Sequence, residues 1–293
     1  MQEAIKQFKI VKITYNDSRD EADNLAIEEP LEIKLTYGSL QNRTVKNVSV
    51  TMRTPGNDAE LATGFLFTEG IIKSVSDITY VYHNTIACAE NKQNTIQVDL
   101  KEDITPNLQS SERNFYTTSS CGVCGKGSIN AIRTVHHFDQ QQGDWQIDNE
   151  LLYRLPQVLQ KHQAVFADTG GLHASALFNL EGELLLLRED VGRHNALDKL
   201  IGATLNAGMT PLSKSILLLS GRASFELIQK AAAAGITLVA AVGAPSSLAV
   251  ELAQEFGITL VGFLRNQRFN IYSAPKRIVS SAHQPYNLTN VVA

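Results

Sequence analysis

The sequence predicts a two-domain protein, with a smaller strand-rich α+β domain followed by an α/β domain built on a parallel sheet. Short segments of the first part alternate apolar and polar residues, whereas the second part alternates apolar runs with helical patterns. A stretch rich in Ser, Thr, Asn and Gly separates the two parts. With 293 residues, of which 43% are hydrophobic, the chain is long enough for two cores. We place the domains at 1–115 and 129–293, with a flexible cysteine-containing loop at 116–128.

The first part is predicted to form five strands and one helix. Apolar and polar residues alternate in segments such as "LEIKLTY", which is typical of a strand buried on one face. Asp58 is a suitable residue for a helix start, and Leu61 and Phe65 lie one helical turn apart behind it. The predicted helix covers 58–72, and the predicted strands cover 8–15, 31–37, 46–53, 78–83 and 94–100.

The second part predicts a hairpin followed by alternating helices and buried strands. Two apolar segments, 174–180 and 183–189, flank the dipeptide "EG" and are expected to pair as a hairpin. Short turns between the later strands and helices predict parallel βαβ units, with helices covering the sheet. The predicted helices cover 193–208, 223–235 and 246–257, and the strands cover 214–221, 236–245 and 258–265.

Composition and charge exclude several classes of protein. The net charge of −4 provides no basic field for a phosphate backbone, so we expect no nucleic-acid binding. The polar, alternating N-terminus does not resemble a signal peptide, and apolar runs such as "LVAAV" are too short to span a membrane. Three cysteines do not form a disulfide framework. These features predict a soluble cytoplasmic protein with reduced thiols and no membrane partner.

Two of the cysteines, Cys121 and Cys124, stand three positions apart in "SSCGVCGKGS". A structural zinc ion needs about four ligands, and the accompanying second pair is missing. A thioredoxin-like redox pair would open a helix directly after a strand, whereas this pair follows a polar loop. An exposed nucleophile fits better, because Lys126 is a nearby cation and the thiolate is the reactive form. A structural loop with incidental cysteines remains an alternative, and Cys88 is interpreted as a packed thiol.

Three turns of the α/β domain place small, polar and charged residues where a strand meets a helix. They are "SGRAS" at 220–224, "GAPSS" at 243–247 and "REDVGRHNALDK" at 188–199. The carboxyl ends of parallel strands line one crevice, and helix N-termini attract anions there. Ordinary helix capping also explains such residues. The candidate ligand-binding residues of these turns are Ser220, Gly221, Arg222 and His194.

Two further segments contain candidate residues near predicted strand ends. Arg265 and Arg268 follow the last predicted strand in "FLRNQRFNIY", and arginine forks match phosphate and guanine acceptors. A pair of surface arginines is the alternative interpretation. His173 follows paired glycines in "TGGLHAS", where it equally suits a turn that satisfies the imidazole.

These motifs together resemble the formate dehydrogenase accessory sulfurtransferase family over nearly the whole chain. The resemblance rests on five segments that occur here in the family's order, which is far more specific than a lone CxxC pair. The segments are "SSCGVCGKGS", "TGGLHASALF", "REDVGRHNALDKLIG", "SGRASFELIQKAAAAGI" and "GAPSSLAVELA".

The resemblance implies a sulfur carrier that serves the molybdenum cofactor of formate dehydrogenase. In this family a cysteine desulfurase loads sulfane sulfur onto a loop cysteine as a persulfide. The sulfur then passes to molybdenum in the bis(molybdopterin guanine dinucleotide) cofactor, bis-MGD, before insertion into the apoenzyme. The persulfide cysteine falls on Cys121, with Cys124 as an auxiliary cysteine. The family's cofactor-binding segment falls on Phe263, Leu264, Arg265, Asn266, Gln267 and Arg268.

The resemblance also implies a homodimer and a three-layer second domain similar in fold to cytidine deaminases. Zinc deaminases need an H-x-E helix start and a P-C-x-x-C helix start. Here Ala196 stands where the glutamate would follow His194, and "SGRAS" contains no cysteine. Cys121 and Cys124 lie upstream of His194, in the wrong order. The sequence therefore argues against zinc deamination, and we expect no bound structural metal.

Two rival functions come from other classes of protein. The chain could be a non-catalytic chaperone that binds the cofactor and presents it to formate dehydrogenase. It could also be a dithiol redox enzyme that cycles a disulfide between Cys121 and Cys124. A cysteine variant that keeps cofactor binding and still supports formate dehydrogenase would favour the chaperone, and a reversible intramolecular disulfide would favour the redox enzyme.

Overall fold

The computed structural model describes residues 4–83, 93–108 and 145–280, which form fourteen strands and six α-helices. The first two strands, β1 (Ile5–Thr14) and β2 (Asp17–Ala26), pair as an antiparallel hairpin. Helix α1 (Asp58–Thr68) packs against a four-stranded sheet of order β4-β3-β6-β5. The strands of that sheet are β3 (Glu29–Tyr37), β4 (Thr44–Arg53), β5 (Ile78–His83) and β6 (Thr95–Leu100).

The later residues form a six-stranded sheet with helices on both faces. Its strands are β8 (His173–Phe178), β9 (Leu184–Asp190), β10 (Ile216–Leu219), β11 (Leu238–Ala241), β12 (Thr259–Arg265) and β13 (Arg268–Ser273). A small parallel pair joins β7 (Ile147–Asp148) to β14 (Ile278–Val279). The helices are α2 (Asn149–His162), α3 (Ala164–Thr169), α4 (Arg193–Asn206), α5 (Phe225–Ala233) and α6 (Ser247–Glu255).

The predicted βαβ units are confirmed. The six-stranded sheet has the order β13-β12-β11-β10-β8-β9, and its central strands β10, β11 and β12 are parallel. Strands β8 and β9 form the predicted antiparallel hairpin, and β8 runs antiparallel to β10. The carboxyl ends of β9, β10, β11 and β12 therefore meet the start of β8 at one edge.

Apolar side chains fill both faces of the six-stranded sheet. Leu217 and Leu219 of β10 face one core, and Ile216 and Leu218 face the other, as the two-residue period of a strand requires. The first core also contains residues of the four-stranded sheet, such as Ile33. One apolar cluster thus runs through both predicted domains. The predicted domain boundary and the loop at 116–128 lie outside the described residues.

Several elements were missing from the sequence prediction. Strand β2 has the sequence DSRDEADNLA, which lacks apolar alternation, and it is formed by pairing along the length of β1. Helix α2 buries Leu151, Leu152, Leu155 and Leu159 at helical spacing, so its signal was present in the sequence. Within the three described ranges, no helix is both long enough and apolar enough to cross a membrane.

Helices α1 and α4 cross at two glycines. A Cβ atom on Gly64 would overlap the main-chain oxygen of Asp198, and a Cβ atom on Gly202 would overlap that of Glu60. The two helices therefore approach backbone to backbone, which no other residue type permits at these positions. This crossing sets the distance between the four-stranded sheet and the helix layer of the larger sheet.

We expect Gly202→Ala to lower the free energy of unfolding by about 1–3 kcal/mol, because the added carbon meets a main-chain atom that cannot rotate away. Chemical denaturation of both proteins measures the difference. Gly171→Ala is the matched control, since its nearest neighbour, the Thr169 oxygen, lies 3.8 Å from the new Cβ. An equal loss in both variants would contradict the tight crossing.

Candidate functional site

A buried ion pair fixes the start of α4 against the first half of the chain. The Asp190 carboxylate lies 2.7 Å from the Lys199 ammonium, and the two side chains are 0% and 1% exposed. The same carboxylate accepts hydrogen bonds from the backbone N–H groups of Thr54 (3.1 Å) and Gly192 (2.8 Å). Burial raises the pKa of Asp190, while the Lys199 charge and these donors favour the carboxylate. The turn after β4 is therefore joined to the turn after β9.

Most charges of "REDVGRHNALDK" serve the fold in a similar way. Arg188 donates two hydrogen bonds to the Glu60 carboxylate of α1. Asp198 lies 2.9 Å from the buried Lys230 ammonium. The Glu189 carboxylate accepts from two backbone N–H groups at the start of α3. Two other charged residues of this segment, Arg193 and the candidate ligand-binding residue His194, lie near His173 at the sheet edge.

The turns that follow β10, β11 and β12 form one continuous ridge at the carboxyl edge of the sheet. The backbone N–H of Phe263 donates to the Gly243 oxygen at 2.9 Å, and the N–H of Gly243 donates to the Gly221 oxygen at 2.9 Å. A parallel bridge also joins Ala223 to Pro245. The structure therefore brings "SGRAS" and "GAPSS" together at one edge, as predicted, and adds the start of "FLRNQR", whose position the sequence left open.

Close approach explains the glycine at position 243. A Cβ atom there would lie 3.0 Å from the Gly221 oxygen and 3.1 Å from the Arg222 Cγ. Without that carbon, the stem of Arg222 lies across the neighbouring turn, and Arg222 is exposed. The Ser220 hydroxyl is held from behind, where it accepts a hydrogen bond from the Ala174 N–H at 2.8 Å. The "SGRAS" turn thus presents the Arg222 guanidinium on a backbone that is fixed by its neighbours.

His194 links the first turns of two helices. Its Nε2 lies 2.9 Å from a Glu226 carboxylate oxygen and 3.3 Å from the Ser224 hydroxyl. Neither α4, which starts after Gly192, nor α5, which starts after Ser224, has a side-chain hydrogen bond at its cap. Both helix N-termini favour negative charge and meet at this edge. Glu226 was not among the predicted site residues, because an acidic first turn is common in helices.

His173, the first residue of β8, closes this end of the ridge. A Cβ atom on Gly221 would lie 3.3 Å from its Nδ1, so the imidazole packs directly on the backbone of the first turn. Burial lowers the pKa of His173, the Arg193 and His194 charges lower it further, and Asp190 opposes them. The sequence left open whether this histidine belonged to an ordinary turn, and the structure places it beside His194.

The other end of the ridge is an arginine hairpin. Asn266 and Gln267 both have positive φ and form the two-residue turn between β12 and β13, where Arg265 pairs with Arg268. Two like charges directly opposite each other repel, which suits an anion at this turn. The Arg265 guanidinium lies 5.9 Å from the ring centre of Phe263.

Two residues of the segment 263–268, Phe263 and Leu264, differ from the exposed residues that follow them. Phe263 has φ of +56°, a strained conformation for an aromatic residue, at a β-bulge in β12. Leu264 is fully buried in the second core, so its side chain is packed away from the surface. Arg265, Asn266, Gln267 and Arg268 are exposed.

The three cysteines, Cys88, Cys121 and Cys124, lie outside the described residues. Among residues 4–83, 93–108 and 145–280, no three metal-ligating side chains come together. The described edge therefore offers two arginine-bearing turns, two helix N-termini and a pair of histidines. This set suits an elongated anion with an aromatic or purine end.

Comparison with protein families identifies the chain's relatives. The model of the FdhD/NarQ family matches residues 26–279. The chain belongs to this family. The match covers both sheets described above, including the α1–α4 crossing and the ridge.

Relatives in the FdhD/NarQ family extend along nearly the entire chain. A protein of Streptomyces avermitilis is 46% identical over 94% of this chain and 95% of its own length. A protein of Mycobacterium tuberculosis is 47% identical over 87% and 92%. A protein of Sulfolobus acidocaldarius is 41% identical over 94% and 98%. Each of these three proteins is named sulfur carrier protein FdhD.

A solved structure shares the fold. A crystal structure from Desulfotalea psychrophila, provisionally described as a formate dehydrogenase accessory protein, superimposes with a TM-score of 0.70 at 25% identity. The alignment covers 94% of this chain and all of the other. The mixed α and β class is confirmed, whereas the cytidine-deaminase-like description of the second domain stays a prediction.

We expect Lys199→Met to lower the free energy of unfolding by about 3–5 kcal/mol, because it leaves the Asp190 charge buried without its partner. Denaturant titration at neutral pH measures this loss. Lys12→Met is the matched control, since Lys12 pairs with Glu21 at 3.2 Å with both side chains exposed. Its removal should change stability little. A small effect of Lys199→Met would show that Asp190 does not need its cation.

Proposed function

We propose that this chain is a sulfur carrier that supports formate dehydrogenase. The single observation that carries this proposal is the near full-length identity, 46% or more, to proteins named sulfur carrier protein FdhD. The ridge adds a candidate binding surface for a large anion, and the sequence supplies the thiols of Cys121 and Cys124. A carrier needs both an acceptor thiol and a place to hold the molecule that receives the sulfur.

Cys121 is proposed as the acceptor. Its thiolate attacks the outer sulfur of a persulfide on a cysteine desulfurase, and a new S–S bond forms at Cys121. The S–S bond of the donor breaks, and the donor cysteine leaves as a thiolate. The step needs no oxidant or reductant, because a neutral sulfur atom is transferred from one thiolate to another. Cys124 either shields the persulfide, resolves it, or acts as a second carrier.

The proposed recipient is molybdenum in bis-MGD, which the protein holds as cargo before it reaches the formate dehydrogenase apoenzyme. Arg222 lies at one turn of the ridge, and Arg265 and Arg268 lie at another, so they would bind pyrophosphate groups. The Phe263 ring offers a stacking face for a purine. The N-termini of α4 and α5 add favourable charge for the same anion. A cytoplasmic homodimer is part of this proposal.

We expect incubation with a cysteine desulfurase and cysteine to add the mass of one sulfur atom to the peptide that contains Cys121 and Cys124. Mass spectrometry under non-reducing conditions measures the adduct. Cys121→Ala should lose it, whereas Cys88→Ala, the matched control, should keep it. An unchanged adduct in Cys121→Ala would exclude this cysteine as the acceptor.

Formate dehydrogenase activity in cells distinguishes the sulfur carrier from the chaperone alternative. Cys121→Ser would keep formate dehydrogenase active in cells if the protein only presents the cofactor. We expect that activity to be lost.

We expect the double variant Arg265→Gln and Arg268→Gln to weaken binding of GDP-mannose, a guanine nucleotide with a pyrophosphate diester, by about tenfold or more. The double variant removes two positive charges from the ridge, which lowers its electrostatic attraction for a pyrophosphate bound anywhere along it. Isothermal titration calorimetry measures the affinity. Arg154→Gln, an exposed arginine on α2, is the control for loss of positive charge. If the double variant binds GDP-mannose with the same affinity as the wild type, the arginine hairpin is not part of the binding site.

A further inference from the structure

Charged groups face His173 from the described elements that pack against it. Asp190 faces it from β9, and Arg193 and His194 face it from the start of α4. Glu226 of α5 lies behind His194, which it contacts at 2.9 Å. In the turn after β10, the imidazole packs against the backbone of Gly221. The next residue in that turn, Arg222, is exposed.

The charges in this cluster are unevenly balanced. Asp190 is neutralised by Lys199, and His194 is paired with Glu226. Arg193 has no carboxylate partner among the residues that the structure describes, and its Nε is buried without a hydrogen-bond acceptor there. Burial and this uncompensated cation beside the imidazole both favour a neutral His173.

A second unpartnered polar group lies on the same face of β8. Ser175 is two residues from His173, and the two-residue period of a strand puts both side chains on one side of the sheet. The Ser175 hydroxyl is 1% exposed and has no hydrogen-bond partner in the described ranges. Unsatisfied donors beside a half-buried imidazole indicate a place where an anionic ligand completes the hydrogen bonding.

We propose that His173 takes up a proton when the pyrophosphate of a bound ligand reaches this end of the ridge, so that anion binding and imidazole protonation are coupled. The ligand's negative charge would compensate Arg193 and favour the imidazolium, which then donates a charge-assisted hydrogen bond to a phosphate oxygen. The proton comes from solvent. This inference rests on the proposed function, because it assigns a residue to the same binding edge.

The sign of the pH dependence follows from the two protonation states. Burial and the Arg193 charge favour the neutral imidazole in the free protein, whereas a bound anion would favour the imidazolium. Affinity therefore falls as the pH rises between the pKa of the free protein and the higher pKa of the complex. The dissociation constant should increase in that window by up to about tenfold per pH unit.

The test is calorimetry of GDP-mannose binding to the full chain, because its pyrophosphate diester has no group that titrates near neutral pH. Titrations at one pH in buffers of different ionisation enthalpy report the number of protons taken up. We expect uptake of a fraction of one proton in the wild type and close to none in His173→Gln. His162→Gln, an exposed histidine on α2, is the matched control and should behave as the wild type.

NMR of the wild type keeps the test independent of the variant's folding. The His173 ring signal should titrate at a higher pH with GDP-mannose than without it. Binding without proton uptake would overturn the role of His173 and leave the binding edge intact. Proton uptake that persists in a folded His173→Gln variant would assign the proton to another group and would also overturn the role of His173. Absence of wild-type binding would overturn both this inference and the proposed cargo site.

Discussion

The structure depends on the backbone-to-backbone crossing of α1 and α4 at Gly64 and Gly202. Because no side chain separates the helices there, the four-stranded sheet and the six-stranded sheet share one apolar core. The buried pair of Asp190 and Lys199 then fixes the N-terminal end of α4 to the turn after β4. Helix α4 is thus held at its middle and at its start, and it carries His194 at the candidate binding edge.

The candidate binding edge follows from sheet topology. Strands β10, β11 and β12 are parallel, so their turns emerge side by side, and main-chain hydrogen bonds join those turns in sequence. The start of β8 reaches the same edge because β8 runs the other way. The candidate site is therefore assembled from five strand ends, since β9 also ends here, before Arg193 and His194, and such an assembly is typical of ligand crevices in α/β sheets.

Much of this arrangement could be predicted from the sequence. Periodicity identified the parallel units, because buried strands and amphipathic helices alternate with short turns, and it placed three of the turns at one edge. It failed for β2, whose charged sequence acquires its strand conformation only from β1. It also could not separate the fold-supporting charges of "REDVGRHNALDK" from Arg193 and His194, since partners such as Glu60 and Lys230 are far away in the chain. Glu226 was missed for the same reason, whereas His173 was a candidate for which the sequence left an ordinary turn role equally open.

The ridge has a further consequence that concerns its spacing. From Phe263 through Gly243 to Gly221, each link is a main-chain hydrogen bond, and the last step is the stacking of His173 on a glycine. The spacing of the three turns is thus set by main-chain hydrogen bonds and by the absence of a Cβ atom at Gly243. A ligand that spans these turns would therefore meet a backbone frame of fixed length, and replacing an exposed residue such as Arg222 would change one contact without changing the spacing of the turns.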